Sequence, residues 1–118
     1  MKENQLVDLS RKFAVDIIRL YDLIRETKKY TVIINQLIRC GTSIGANIHE
    51  GNYAASRADF INKFQIALKE CYETEYWLEL LYKAEIVSDV SKLIHDCGVI
   101  RRMLISSINT AKENIKNA

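Results

Sequence analysis

The stretch CGTSIGANIHEG, Cys40–Gly51, holds three of the chain's four glycines. Ile44 and Ile48 recur at helical spacing, and Ile34, Leu37 and Ile38 carry the same face upstream. At about 100° per residue, Gly41 and Gly45 fall near the centre of that apolar stripe. A glycine inside a helix costs about 1 kcal/mol relative to alanine, so some packing gain must offset it. A neighbouring backbone brought unusually close supplies one, as small residues four apart do at tight helix crossings. The rival reading is a kink or a broken helix at CGTSIG. Close packing makes this segment the core of a long helix, Val32 to Ala54, within a bundle of helices.

Three further amphipathic segments surround it. Leu6, Leu9, Phe13, Ile17, Leu20 and Ile24 repeat at three and four residues, which predicts a first helix from Asn4 to Thr27. Its Asp8, Lys12 and Asp16 make an outer face with weak i,i+4 pairs. ETKKYT breaks the pattern and predicts a short turn. Ser56 is read as the N-cap of a third helix reaching Ala84, its hydroxyl accepting from the Asp59 amide. Phe60, Phe64, Ala67, Cys71, Leu78 and Tyr82 form the inner face of that helix. Ser88 is read as the cap of a fourth, whose stripe is Leu93, Cys97, Ile100, Leu104, Ala111 and Ile115. Only the last few residues are expected to fray. With short connections and no repeat or linker, the chain predicts one all-α domain, residues 1–118, folded as an antiparallel up-down four-helix bundle.

Composition sets the limits of function. A chain of 118 residues, 48% hydrophobic and 27% charged, fits one ordinary globular domain. A net charge of +2 does not by itself imply nucleic acid or membrane. Proline is absent, which suits long uninterrupted helices. No apolar run approaches the roughly 20 residues of a membrane span, and MKENQLVDLSRK lacks the apolar core of a signal peptide. The three cysteines, Cys40, Cys71 and Cys97, cannot all pair within the chain and are read as reduced and cytoplasmic.

The third helix carries more apolar surface than a bundle needs. Ile66, Trp77 and Leu80 point away from its inner face, with Tyr76 beside them. Such a stripe is read as a subunit contact, and the rival is a wide core. Glu75 sits at the edge of the inner stripe, where a charge needs a partner or water. Arg39, Ser43 and Asn47 on the second helix are the partners on offer, forming with Glu75 a buried polar group.

IRCGTSIGANIHEG (38–51) followed by SRADFINKFQIALKECYETEYWLELL (56–81) resembles the signature of the four-helix bundle family associated with 23S rRNA intervening sequences. That family is similar to the accessory variability determinant proteins of diversity-generating retroelements. The matching positions are Arg39, Ser43, Ile44, Ala46, Asn47, Ile48, Glu50 and Gly51, then Ser56, Phe60, Ala67, Glu70, Glu73, Thr74 and Leu78. The resemblance implies a bacterial four-helix protomer assembling as a homopentamer, with a nucleic-acid-related role in the retroelement branch only.

Catalytic chemistry is not indicated. GTSIGANIHEG lacks the lysine of a phosphate loop and follows no strand. His49 and His95 are the only histidines. The HDC at 95–97 does not converge, because Cys97 belongs to the inner stripe and His95 does not. No nucleophile accompanies Asn47, His49 and Glu50. The expectation is no enzyme, no metal, no cofactor, no small-molecule substrate and no membrane. Two readings remain. In one, Arg101, Arg102, Lys112 and Lys116 on the fourth helix bind RNA or DNA. In the other, the oligomer is a protein-interaction scaffold, and those basic residues only complement the helix's negative end.

Overall fold

The computed structural model describes residues 2–116. They form four helices, α1 (Lys2–Arg25), α2 (Thr31–Asn52), α3 (Arg57–Lys83) and α4 (Ser91–Lys116), with no strand among the described residues. The four pack as a bundle measuring 53 × 22 × 21 Å. α1 and α3 each pack against both α2 and α4. The core fills the space between them with Leu6, Phe13, Ile17, Leu37, Ile44, Ile48, Phe64, Leu78, Ile100 and Leu104, all essentially inaccessible to solvent. Asn117 and Ala118, where fraying is expected, lie outside the described residues.

α2 runs through the glycine segment without interruption. A Cβ placed on Gly41 would lie 2.9 Å from the Ile17 Cγ2 of α1, and one on Gly45 would lie 3.3 Å from the Ser10 Oγ of the same helix. Gly51 is tighter still, with the Phe64 Cδ1 of α3 at 2.7 Å from such a Cβ. The glycines therefore let α2 approach α1 along one face and α3 at its end. Ser10 is itself buried, and its hydroxyl donates to the Val7 carbonyl at 3.1 Å.

The Ser56 side chain caps α3 by accepting from the Asp59 amide at 3.1 Å. At α4 the capping side chain is not Ser88. Asp89 Oδ1 accepts from the Ser91 amide at 2.9 Å, and the helix begins at Ser91. A carboxylate near the positive helix end gains more from the dipole than a hydroxyl three residues upstream. Three inner-face assignments also change. Leu9 is 37% exposed at the flank of α1, Tyr82 is 52% exposed in the last turn of α3, and Ile115 is 47% exposed in the last turn of α4. The last buried residue of α4 is Ala111, one turn before Ile115. Helical periodicity continues past the point where a helix leaves the core, so it overcounts buried positions at helix ends.

Candidate functional site

Two polar clusters lie on opposite flanks of α3. Glu70 and Glu73 face α2, where Arg39 Nη1 donates to Glu70 at 3.2 Å and Nη2 donates to Glu73. Trp77 Nε1 donates to the same Glu73 oxygen at 3.1 Å. Glu70, Glu73 and Trp77 lie three and four residues apart, so they share one helix edge. Hydrogen bonds from Trp77 and Arg39 hold the Glu73 carboxyl below its ordinary value, and Glu73 in turn raises Arg39. Beneath this network the Thr74 hydroxyl is fully buried, donating to the Glu70 carbonyl at 2.7 Å, with the Cys40 Sγ at 3.2 Å.

Glu75 lies on the other flank. Five residues on from Glu70, it is rotated about 140° around α3 and faces α4 instead of α2. Arg101 Nε donates to Glu75 Oε1 at 2.9 Å, and the guanidinium stands 5.5 Å from the Tyr72 ring centroid. The expected grouping of Glu75 with Arg39, Ser43 and Asn47 is thus corrected. Arg39 is exposed and serves Glu70 and Glu73. Ser43 and Asn47 are half-buried and turn back onto their own helix, donating to the carbonyls of Arg39 at 2.7 Å and of Ser43 at 2.8 Å. The ion pairs between α3 and α2 are those of Glu70 and Glu73 with Arg39 and, farther along the same two helices, of Lys63 with Glu50 at 3.6 Å; the spacing of Glu70 and Glu73 with Trp77 was visible in ECYETEYW. Among the described residues the fully buried polar side chains are Ser10 and Thr74.

The four basic residues of α4 expected to bind nucleic acid separate. Arg101 is half-buried in its pair with Glu75, which raises its pKa further. Arg102 is exposed and lines a shallow depression together with Ile105, Asn109, Lys112 and one carboxylate, Glu113. Lys116 is exposed in the last turn. Gly98 is buried on this side because the guanidiniums of Arg101 and Arg102 roof it; an added Cβ would lie 3.5 Å and 3.3 Å from them.

The apolar stripe of α3 divides as well. Ile66 is 36% and Tyr76 55% exposed, whereas Trp77 and Leu80 are half-buried and Trp77 packs against the core. The Tyr76 and Trp77 rings meet edge to face at 5.1 Å. Tyr72 and Tyr82 are further large exposed side chains of this helix.

The cysteines are buried and free. Burial pushes the Cys40 thiol up to about 11. A hydrogen bond with Cys71, reinforced by burial, holds Cys97 well above the ordinary thiol range. Thiols kept protonated in this way are poor nucleophiles. Among the described residues no group of three or more His, Cys, Asp or Glu is placed to hold a metal ion, and no helix is long and apolar enough to cross a membrane.

The family model for the 23S rRNA-intervening sequence protein matches residues 2–106. The chain belongs to this family. The match takes in all of α1, α2 and α3, with both polar clusters, and α4 through Ser106. Among solved structures, the chain is similar to a protein of unknown function of the S23 ribosomal protein family from Bacteroides thetaiotaomicron. Identity is 50% and the TM-score is 0.87, over 92% of this chain and 99% of that one. None of the curated proteins matches the chain.

Proposed function

We propose that the chain is a non-enzymatic, cytoplasmic bacterial protein that assembles as a homo-oligomer, a pentamer by resemblance, and binds nucleic acid weakly through α4. The observation that carries the binding is the Arg102–Lys112 depression. Both cations are exposed, neither makes an ion pair among the described residues, and Asn109 beside them offers hydrogen-bonding groups. Arg101, tied to Glu75, does not line this depression and is left out of the proposed contact. The family's association with intervening sequences of 23S rRNA is consistent with an RNA partner.

The protomer we propose is an up-down bundle with adjacent helices antiparallel. Gly41 meeting Ile17 while Gly45 meets Ser10 supports opposite senses for α1 and α2. Arg39 pairing with Glu70 and Glu73 while Glu50 pairs with Lys63 supports the same for α2 and α3. Exposed Ile66, Tyr72 and Tyr76 support a subunit contact along α3. A closed ring repeats each small basic patch, so several weak contacts act together. The protonated thiols and the paired carboxylates support a role without catalysis.

The alternative, a protein-interaction scaffold, draws support from the neutralisation of Arg101 by Glu75, which leaves three of those four α4 cations without an ion pair among the described residues. Titration of labelled single-stranded RNA at low salt, with the mass of the assembly measured in parallel, separates the two. Binding that disappears at high salt supports the nucleic-acid reading; an oligomer that ignores RNA at low salt supports the scaffold.

A further inference from the structure

A cleft of about 490 Å³ opens where the α2–α3 connection meets the last turns of α4. Its size falls within the roughly 300–1,000 Å³ of small-molecule sites. Its chemistry is specific in three respects. Phe60 packs on the Phe64 ring at 4.1 Å between centroids and lines the cleft with the part left exposed. Asn52, Ser107, Thr110 and Asn114 also line it, and none of them spends its side chain on a hydrogen bond within the described residues. Among the described residues Arg57 is the one lining cation and makes no ion pair, and no carboxylate lines the cleft. An aromatic surface, neutral donors and acceptors, and one uncompensated guanidinium together match a planar heterocycle joined to a phosphate.

Thr110 lines this cleft and also the depression that holds Arg102 and Lys112. The two recesses are therefore neighbours on α4. We infer that the cleft seats one nucleotide of a single-stranded nucleic acid, its base against Phe60 and its phosphate on Arg57, while the strand continues past Thr110 toward Lys112 and Arg102. The strand's path rests on the α4 reading above; the nucleotide site itself rests on the cleft.

Backbone amide shifts of the intact protein, followed by NMR during titration with adenosine, adenosine 5′-monophosphate and a single-stranded oligoadenylate, test this. The monophosphate and the oligonucleotide should shift residues 52–60 and 107–114, and adenosine should bind more weakly. Arg57→Gln, at an exposed position, should lower monophosphate affinity at least about fivefold and remove its advantage over adenosine. Phe60→Leu should weaken both ligands by a similar factor. No shift at millimolar monophosphate, shifts confined to other surfaces, or an unchanged affinity in Arg57→Gln would overturn the inference. Oligonucleotide binding that needs Arg102 and Lys112 but leaves the cleft unshifted overturns the cleft alone. Monophosphate binding in the cleft without oligonucleotide binding upholds the cleft and removes the α4 reading.

Discussion

Arg101 on α4 and Glu75 on α3 form a 2.9 Å ion pair whose side chains are only 26% and 19% exposed. Screening by water is weak there, so loss of one partner strands the other. Glu75→Leu should lower stability by about 1–3 kcal/mol in urea melts. The double variant Glu75→Leu/Arg101→Leu should recover part of that loss, because no unpaired charge remains. A single variant as stable as the parent would show that water already serves Arg101.

The three α2 glycines should rank by what their missing Cβ atoms would meet. Gly51→Ala drives a methyl to 2.7 Å from a ring carbon of fully buried Phe64, and Gly41→Ala to 2.9 Å from the branched side chain of Ile17. Each should lose about 1–3 kcal/mol through overpacking, exceeding the roughly 1 kcal/mol gained in helix propensity. Gly45→Ala meets a serine hydroxyl at 3.3 Å and should cost least, whereas Gly45→Leu should cost several times more. Thermal melts that rank Gly45→Ala as the most damaging of the three alanine variants would contradict the close-approach account.

Those glycines also show why the helices were legible and the site was not. Apolar spacing of three and four, the Ser56 cap and the absence of proline located all four helices, because burial of one face dominates helix energetics. Ion-pair partners depend on which flank of a helix a side chain leaves from. Glu70, Glu73 and Glu75 lie within six residues of sequence yet serve two different neighbours, α2 and α4. Only packing decides that. The Phe60 cleft is formed by residues from 51 to 60 and from 107 to 114, a pairing with no local sequence pattern.

Glu73 gives a pH dependence. Its hydrogen bonds from Trp77 and Arg39 depress its folded pKa below the ordinary 4.5. The stabilisation is complete above the unfolded value and is lost as pH falls through the folded value. Emission from Trp77, the only tryptophan, should therefore shift below about pH 4.5 as its acceptor protonates, before global unfolding. Glu73→Gln should abolish that early step. The same shift in the variant would assign it to another group.

Assembly through α3 is testable at Tyr76, which is 55% exposed and can accept a charge without disturbing the core. Light scattering should give a multiple of the 13.6 kDa protomer for the parent, five by our proposal. Tyr76→Glu should lower the mass at equal helix content, because burying an unpaired carboxylate is unfavourable. A monomeric parent would remove both the ring and its avidity.

The salt dependence of RNA binding tests the central claim most directly. Fluorescence anisotropy of a labelled single-stranded RNA, titrated with protein at several salt concentrations, gives the slope of log affinity against log salt. That slope is about 0.7 per phosphate contact. We predict measurable binding at low salt with a slope of several units, and loss of both affinity and slope in Arg102→Glu/Lys112→Glu at unchanged assembly mass. Binding absent at low salt, or equally strong in the double variant, would contradict the nucleic-acid role of α4 and leave the protein a scaffold.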